Sequence, residues 1–519
     1  MVNSDTMADM HTYAAIDLGS NSFHMIIARE ESDGHLRVLD SLRETVRLGG
    51  GLNKQGDIDE ATTQLALNTL SQFGQRLAEF DSGRVRCVGT NTLRRVKAEY
   101  GFLERAEKAL GHPIDIISGR EEARLIFLGT THSTAPVEGN QLVLDIGGGS
   151  TEIILGAEGR PHTLESVNMG CVSWTQRFFD GGKISAKAYD KAITQAQLQM
   201  QPLLSTYKKL GWSNTLGCSG TIKAVETVAQ ANDWCEQGIS AKALKKLRKA
   251  LIKAGHIDKI DIEALKDNRQ PIIIGGVAVL EAVFKALDIK HMDVSQSSLR
   301  EGLLYDLIGR THKEDIREQT VQTMVQQYAI DSEQAERVEN TAVYLFRQVA
   351  EAWQLNEEHE QELRWACRLA EVGLNISHSK YHRHSEYILA YADMPGFSWH
   401  EQAVLAVLAR LHRSKFHDEK CNAVPSQYQK PLRYLAVLLR LSVLLHRSRQ
   451  EEPLPELTLF ASDQSLLLRV DEAWIMAHPL TCADLLSEMK QLEQASWKFT
   501  LDWHQPSQTL REFWQELSS

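Results

Sequence analysis

Two carboxylates flank a run of three glycines in Asp145-Ile146-Gly147-Gly148-Gly149-Ser150-Thr151-Glu152. Glycine carries no side chain to keep a phosphate off the backbone, so consecutive N–H groups there are free to point at an anion. Asp145 and Glu152 add hard oxygen donors, which suit a divalent cation such as Mg2+ bridging protein and phosphate. Apolar Leu142-Val143-Leu144 leads in and Ile153-Ile154-Leu155 leads out, so the stretch reads as two strands joined by a tight turn. Such a turn alone does no more than reverse a chain. Specificity comes from a second copy, Asp17-Leu18-Gly19-Ser20-Asn21-Ser22, set between Ala14-Ala15-Ile16 and Phe23-His24-Met25-Ile26-Ile27. Two copies of strand, Asp-x-Gly-x-x-Ser and strand point to a duplicated domain whose halves face each other across a cleft. A third loop, Leu216-Gly217-Cys218-Ser219-Gly220-Thr221, fits another strand end leading into a helix near Ile222.

The expected phosphate cradle is therefore Gly19, Ser20, Asn21, Ser22, Gly147, Gly148, Gly149, Ser150, Gly217, Ser219, Gly220 and Thr221. Asp145 and Glu152 are the expected Mg2+ ligands, with Asp17 as a weaker, water-mediated candidate. Ser118-Gly119-Arg120-Glu121 has the spacing of a capping box, which occupies Glu121 with the helix start. Glu122 lies about 100° further round the helix and is free to face the cleft; the alternative is a simple complement to the helix dipole. Arg94 follows the strand over Arg84–Val88, where open α/β sheets place ligand-binding groups. Its planar fork suits bidentate phosphate contact, against the alternative of a solvated surface arginine.

Two Asp-x-Gly loops and a later Gly-x-Ser-Gly-Thr resemble the actin, sugar kinase and Hsp70 superfamily. The strings Asp17-Leu18-Gly19-Ser20-Asn21-Ser22-Phe23-His24, Ser118-Gly119-Arg120-Glu121-Glu122-Ala123-Arg124 and Asp145 to Glu152 resemble the exopolyphosphatase and guanosine pentaphosphate phosphohydrolase family (Ppx/GppA). His382-Arg383-His384-Ser385-Glu386-Tyr387 extends the likeness into the C-terminal half. The resemblance implies an α/β fold of two duplicated actin-like, ribonuclease H-like lobes, an all-α HD-like domain and a small C-terminal α+β domain. It places the catalytic carboxylate at Glu122 and implies a homodimer. An HD hydrolase would use a His-Asp pair for metal, but Ala370-Glu371 stands at that place, so no catalytic metal is expected there.

At 519 residues, 43% hydrophobic and 24% charged, the chain has an ordinary globular composition and is long enough for several domains. The expected division is a disordered tail over 1–11, lobes over 12–130 and 131–310, a helical domain over 311–452 and a cap over 453–519. Met1 to His11 lacks the basic flank and apolar run of a secretory signal. Leu435–Leu445 is too short to span a bilayer and carries Arg440, so it reads as a buried helix. Seven cysteines without C-x-x-C spacing argue against disulfides or structural zinc and fit a reducing cytoplasm. Peripheral contact with the inner face of the cell membrane is the alternative location. Cys218 has no evident activating base beside it and reads as a small apolar residue rather than a nucleophile.

The formal charge of −11 disguises a basic region. From Ala370 to Arg449, 11 Lys and Arg stand against 6 Asp and Glu, with 7 His besides. His378, Lys380, His382, Arg383, His384, Arg410, Arg413 and Lys415 form either a track for a long polyanion or an ordinary solvated face. The favoured expectation is Mg2+-dependent release of terminal orthophosphate from inorganic polyphosphate, with Arg94 neutralising charge and Glu122 activating water. The alternative is conversion of guanosine 5′-triphosphate 3′-diphosphate to the tetraphosphate. Less favoured are an ATP-dependent kinase and a non-catalytic polyphosphate-binding regulator, and no nucleic-acid partner is expected.

Overall fold

The computed structural model describes residues 11–31, 34–134, 137–312 and 314–502. Most of the tail expected over 1–11 lies outside these residues, as does the end of the chain from residue 503. The described chain forms two compact units that divide at Ile316 and Arg317.

The first unit is built on two sheets of matching plan. Strands β1 (Thr12–Leu18), β2 (Phe23–Glu30), β3 (Leu36–Glu44), β4 (Val85–Gly89) and β5 (Ile114–Ile116) take the order β3-β2-β1-β4-β5. Strands β6 (Gln141–Ile146), β7 (Thr151–Ala157), β8 (Arg160–Val167), β9 (Asn214–Cys218), β10 (Ile239–Ser240) and β11 (His291–Val294) take the order β10-β11-β9-β6-β7-β8. In each sheet the first three strands form an antiparallel meander, and the first strand then pairs in parallel with a later one, β4 or β9. These are the duplicated actin-like lobes that the paired motifs imply.

Helices fill the connections: α1 (Leu48–Gly51), α2 (Glu60–Leu77), α3 (Phe102–Leu110) and α4 (Gly119–His132), then α5 (Cys171–Phe178), α6 (Ala186–Met200), α7 (Leu204–Leu210), α8 (Ser219–Ala231), α9 (Ala241–Ala254), α10 (Ile273–Leu287) and α11 (Leu299–Thr311). Central strands read as continuous apolar runs because both faces are covered. Ala14 and Ile16 belong to the core of the first lobe, whereas Tyr13 and Ala15 join a second core with Val143, Ile154 and Leu216 of the other sheet and with α4 and α11. These two helices lie against each other at two glycines. A Cβ on Gly129 would fall 2.1 Å from Ser298 O, and one on Gly302 1.8 Å from Leu125 O.

Two segments fold otherwise than their sequence suggests. Pro271–Leu280 looks like a strand end, yet Ile273–Leu287 is the buried helix α10. A helix covered on all sides shows no amphipathic period, and its Ile-Ile-Ile start mimics a strand. Gly275 and Gly276 do serve close approach, since a Cβ on them would meet Thr175 Oγ1 at 2.5 Å and Thr221 Cγ2 at 2.4 Å. Ser185–Leu210 reads in sequence as one helix but forms two, α6 and α7, broken by turns at 201–203 that include Pro202.

The second unit starts with α12 (Ile316–Gln327), α13 (Ser332–Trp353), α14 (Glu357–Leu369), α15 (Tyr381–Tyr391), α16 (Trp399–Leu411) and α17 (Ser426–Leu445). A sheet of order β12-β13-β14 follows, made of β12 (Thr458–Ser462), β13 (Ser465–Arg469) and β14 (Lys498–Asp502), with α18 (Glu472–Ala477) and α19 (Pro479–Gln494) between the last two strands. Helices and sheet share one core, in which Trp353 stacks on Tyr434 and meets Trp497 edge-on. Arg440 is buried in α17 but fully engaged: Glu488 takes two of its bonds at 2.5 and 2.7 Å, and the carbonyls of Leu411 and Ser414 take others. No described helix is long and apolar enough to cross a membrane.

Candidate active site

The two glycine tips are the same structure made twice. Gly19–Ser22 joins β1 to β2 and is closed by Gly19 N–H donating to Ser22 O at 3.2 Å; Gly147–Ser150 joins β6 to β7 and is closed by Gly147 N–H donating to Ser150 O at 3.0 Å. Among the described residues, the N–H groups of Ser20, Asn21, Gly148 and Gly149 donate to no protein acceptor. The tips meet: a Cβ on Gly148 would lie 2.9 Å from Ser20 Cβ and 3.5 Å from Asn21 N. A side chain there would fill the space between them.

Alternation along the strands then decides what faces the gap. Asp17 continues the face of Tyr13 and Ala15, and Asp145 that of Val143, so both point into the space between the sheets. Cross-strand register extends each aspartate into a row. Asp17 pairs with His24, and His24 with Arg43. Asp145 pairs with Glu152, and Glu152 with Ser166. Beneath the tips a cavity of about 250 Å³ is lined by Asp17, His24, Arg43, Glu122, Asp145, Lys223, Arg269 and Arg300, and by every expected cradle residue except Gly217.

Gly217 is a correction. It lies within β9, where a Cβ would strike Met292 Sδ at 2.4 Å and Ile222 Cγ2 at 2.7 Å, so its glycine answers to packing. The third loop reaches the cavity one step later. Ser219 adopts φ +82°, a strained conformation for a residue with a side chain, of a kind found concentrated at functional sites. Its Oγ donates to Ile146 O at 3.0 Å and accepts from Ile146 N–H at 3.3 Å, which ties the loop to the second tip. The free N–H groups at the start of α8 thereby border the same cavity.

Glu122 sits in the first turn of α4. Ser118 Oγ caps that helix by accepting from Glu121 N–H at 3.1 Å, while Arg124 holds the Glu121 carboxylate through two bonds of 2.7 and 2.8 Å. Glu122 faces the cavity instead and accepts from Arg94 Nη1 at 3.0 Å. Arg94 reaches the site through Glu122. Its Nη1 serves Glu122 and the Ile117 carbonyl, and the residue stands behind the cavity lining rather than on it. The cations that do line the cavity are Arg43, Lys223, Arg269 and Arg300, none of which the motifs single out; Arg300 reads in sequence as a member of a surface pair with Glu301.

Burial biases most of the charged groups lining the cavity towards neutrality. Burial, then Glu122, pushes the Asp17 carboxyl up to about 7. Burial raises Asp145 and Glu122, against the bonds from Ser298 and the charge of Arg94 respectively. Glu152 is raised well above the usual range by burial and by Glu122 and Asp145. On the other side burial lowers Arg43, Arg269 and Lys223, and it pulls His24 down to about 2 with the help of Arg300, Arg43 and Arg269.

Two buried carboxylate oxygens, Asp17 Oδ1 and Glu152 Oε2, have no hydrogen-bond partner among the described residues. No group of three or more His, Cys, Asp or Glu among those residues is arranged as a metal cage. The unpartnered Asp17 oxygen, in a cavity shared with Asp145, suits an ion held by one or two carboxylates that completes its shell with phosphate and water, which is the habit of Mg2+. Asp17 and Asp145 line the cavity, whereas Glu152 is fully buried behind it with Ser166 Oγ donating to it at 2.8 Å. Asp17 is thus better placed than Glu152 to touch a ligand, the reverse of the sequence ranking.

The basic set of the second unit is not a uniform surface. His378, Lys380, Arg383 and Lys415 are exposed and His384 and Arg413 half-buried, but His382 and Arg410 are interior. Arg410 pairs with Glu386 at 3.1 Å, and His382 is lowered to about 4 by burial and by Arg410 and Arg413, so it is neutral at neutral pH. These two are removed from any solvent-facing track.

Comparison with known proteins places these features in company. A model described as the Ppx/GppA phosphatase family matches residues 26–311, and one described as domain III of the same phosphatases matches residues 316–489. The guanosine-5′-triphosphate,3′-diphosphate pyrophosphatase of Aeromonas hydrophila subsp. hydrophila is 35% identical over 486 residues, 93% of this chain and 97% of that protein. The protein of the same name from Vibrio vulnificus is 36% identical over 494 residues, 94% of this chain and 98% of that protein. Among solved structures, an exopolyphosphatase from Cytophaga hutchinsonii aligns with a TM-score of 0.52 at 27% identity, covering 57% of this chain and 98% of that one.

Proposed function

This chain belongs to the Ppx/GppA phosphatase family, and on that premise we propose that it hydrolyses the terminal 5′-phosphoanhydride of guanosine 5′-triphosphate 3′-diphosphate, releasing orthophosphate and the tetraphosphate. The observation that carries the chemistry is one cavity beneath two touching glycine tips that is lined by the carboxylates of Asp17, Glu122 and Asp145 together with Arg43, Lys223, Arg269 and Arg300. The choice of nucleotide is supported by curated relatives of that name, which match along almost their whole length.

In this reading the N–H groups of Ser20, Asn21, Gly148 and Gly149 hold oxygens of the terminal phosphate. Arg43, Lys223, Arg269 and Arg300 take the charge of the phosphates that leave with the nucleotide. Arg94 fixes one oxygen of Glu122 and leaves the other to orient a water and accept its proton. The water oxygen forms a bond to the terminal phosphorus, the bridging P–O bond breaks, and the diphosphate end of the nucleotide leaves with the electron pair. Mg2+ held by Asp17 and Asp145 would supply charge neutralisation at the phosphate oxygens. Transfer of this kind passes through a loose transition state, so positioning and electrostatics suffice and no protein nucleophile is needed.

A second reading, removal of terminal orthophosphate from inorganic polyphosphate, uses the same parts and is favoured by the likeness of 57% of this chain to a solved exopolyphosphatase. Purified protein with Mg2+, offered each substrate separately at matched phosphate-end concentration, tests both. A higher kcat/KM on the guanosine pentaphosphate is expected. A higher value on polyphosphate transfers the assignment to the second reading, and no orthophosphate from either substrate overturns both.

A further inference from the structure

Asp145 is held by two donors on one oxygen. Ser298 Oγ donates to Asp145 Oδ2 at 2.7 Å, and Cys218 Sγ lies 3.2 Å from the same atom. Ser298 and Cys218 also touch, at 3.6 Å. Each arrives from a different element. Cys218 ends β9 as the register partner of Asp145, and Ser298 caps α11, its N–H bonded to Glu301 Oε2 at 2.7 Å. The α4–α11 contact at Gly129 and Gly302 fixes where Ser298 stands, because the carbonyl of Ser298 is itself what a side chain at position 129 would strike.

The consequence concerns the other oxygen. Oδ2 is saturated by protein donors, while Oδ1 accepts from no described residue on the cavity wall. Buried Cys218 cannot serve as a nucleophile in this position, since burial and the adjoining carboxylate keep its proton on. It serves as a donor.

Granting the Mg2+-assisted hydrolysis proposed for this cavity, we infer that Ser298 and Cys218 are positioning residues that confine Asp145 to one-oxygen coordination and so favour Mg2+ over Ca2+. Ca2+ readily takes a carboxylate through both oxygens in a flexible shell, whereas Mg2+ demands near-octahedral single-oxygen contacts. A carboxylate with one oxygen already committed offers the second arrangement and withholds the first. Partners behind a metal ligand commonly alter metal affinity by roughly 10- to 100-fold when removed.

The test uses the full-length, substrate-free protein and follows bound Mn2+ by electron paramagnetic resonance while Mg2+ or Ca2+ displaces it. Replacing both donors, Ser298→Ala with Cys218→Ala, is expected to move the Ca2+ to Mg2+ competition ratio towards Ca2+ by roughly 10-fold. Ser298→Thr and Cys218→Ser retain a donor and should keep the original ratio. If the double variant fails to fold, Cys218→Ala alone, which removes no side-chain cap bond, is expected to show a smaller shift of the same sign. An unchanged ratio in a variant that still binds Mn2+ overturns the positioning role. Failure of the unsubstituted protein to bind Mn2+ overturns that role and the cation assignment together. Orthophosphate release by the unsubstituted protein is measured separately, so the proposed function stands or falls on its own result.

Discussion

The two lobes of the first unit share a backbone and differ in the row of side chains just below each tip. In the first lobe the row is Asp17, His24 and Arg43; in the second it is Asp145, Glu152 and Ser166. Directly opposed residues on an antiparallel sheet sit about 5 Å apart, so these rows are electrostatic units. The first moves from acid to base along the sheet, and the second sets two acids side by side. A glycine tip receives phosphate through its own N–H groups whatever flanks it, which leaves the flanks free to diverge after duplication. Under the proposed function the first row brings an arginine to the phosphates and the second sets paired carboxylates where a cation is favoured, while the remaining cavity cations, Lys223, Arg269 and Arg300, come from the second lobe. Glu122 feels both, since its charge raises Asp17 in one row and Glu152 in the other.

That division predicts which kinetic parameter each substitution should change. The largest effect is expected from Glu122→Gln, which removes the proton acceptor between the rows; kcat should fall on the order of 100- to 10,000-fold with substrate binding retained. A loss under 10-fold in steady-state assays would mean that another group takes the proton. Asp145→Asn comes next, with kcat reduced by roughly 100-fold and more Mg2+ needed for half-activation, a shift read by metal titration. Arg43→Met should act on the other side, raising KM by about 10-fold with little change in kcat, as expected when a charge-assisted contact worth roughly 1.5–3 kcal/mol is lost equally from ground and transition states. If Asp145→Asn and Arg43→Met alter the same parameter, the division of labour between the rows is wrong.

How far the site could be read from sequence follows from how local each signal is. The tips, Asp17, Asp145 and Glu122 lie in short contiguous strings whose spacing already implies turn and cap. His24 was also within reach, because a four-residue tip over 19–22 makes positions 17 and 24 partners in the same way that 147–150 makes 145 and 152 partners. Arg43 was not. The β2–β3 register slips at Ile27/Ala28, so counting back along the strands from the next turn fails. Arg269 and Lys223 come from a loop and a helical turn that only packing brings to the cavity; a Cβ on Gly220 would lie 1.8 Å from Arg269 Nη2. The cue for Arg300 was present in Ser298-x-x-Glu301, which marks a helix start with Arg300 in its first turn. Two lobes of a parallel and antiparallel plan were legible from duplicated motifs, whereas α10 was not, since burial on all sides erases the period that distinguishes helix from strand. In the second unit, a run of cations and histidines says nothing about which side chains point inward, and His382 and Arg410 do.

The smallest expected effect concerns stability and separates a carboxylate kept for a ligand from one that is simply buried. Asp17 is pushed up to about 7 by burial and Glu122, while an aspartate in the unfolded chain titrates near pH 3.9. With the folded value raised, the contribution of the protonated group is fully present below about pH 4 and is lost as pH rises through about 7. Asp17→Asn keeps the group neutral throughout, so its gain in Tm over the parent in metal-free buffer should be slight at pH 5 and clear at pH 8. Added Mg2+ at pH 8 should raise the parent Tm more than that of the variant, because the ion stabilises only the ionised form. Glu362 in the second unit is also raised, to about 8, by burial and by Glu401 and Glu358. Glu362→Gln should show a similar trend displaced about one pH unit upward, but with no difference in Mg2+ response from the parent. Thermal melts of the two variants at pH 5, 8 and 9, with and without Mg2+, distinguish the cases; equal Mg2+ responses at Asp17 and Glu362 would show that Asp17 does not hold the ion.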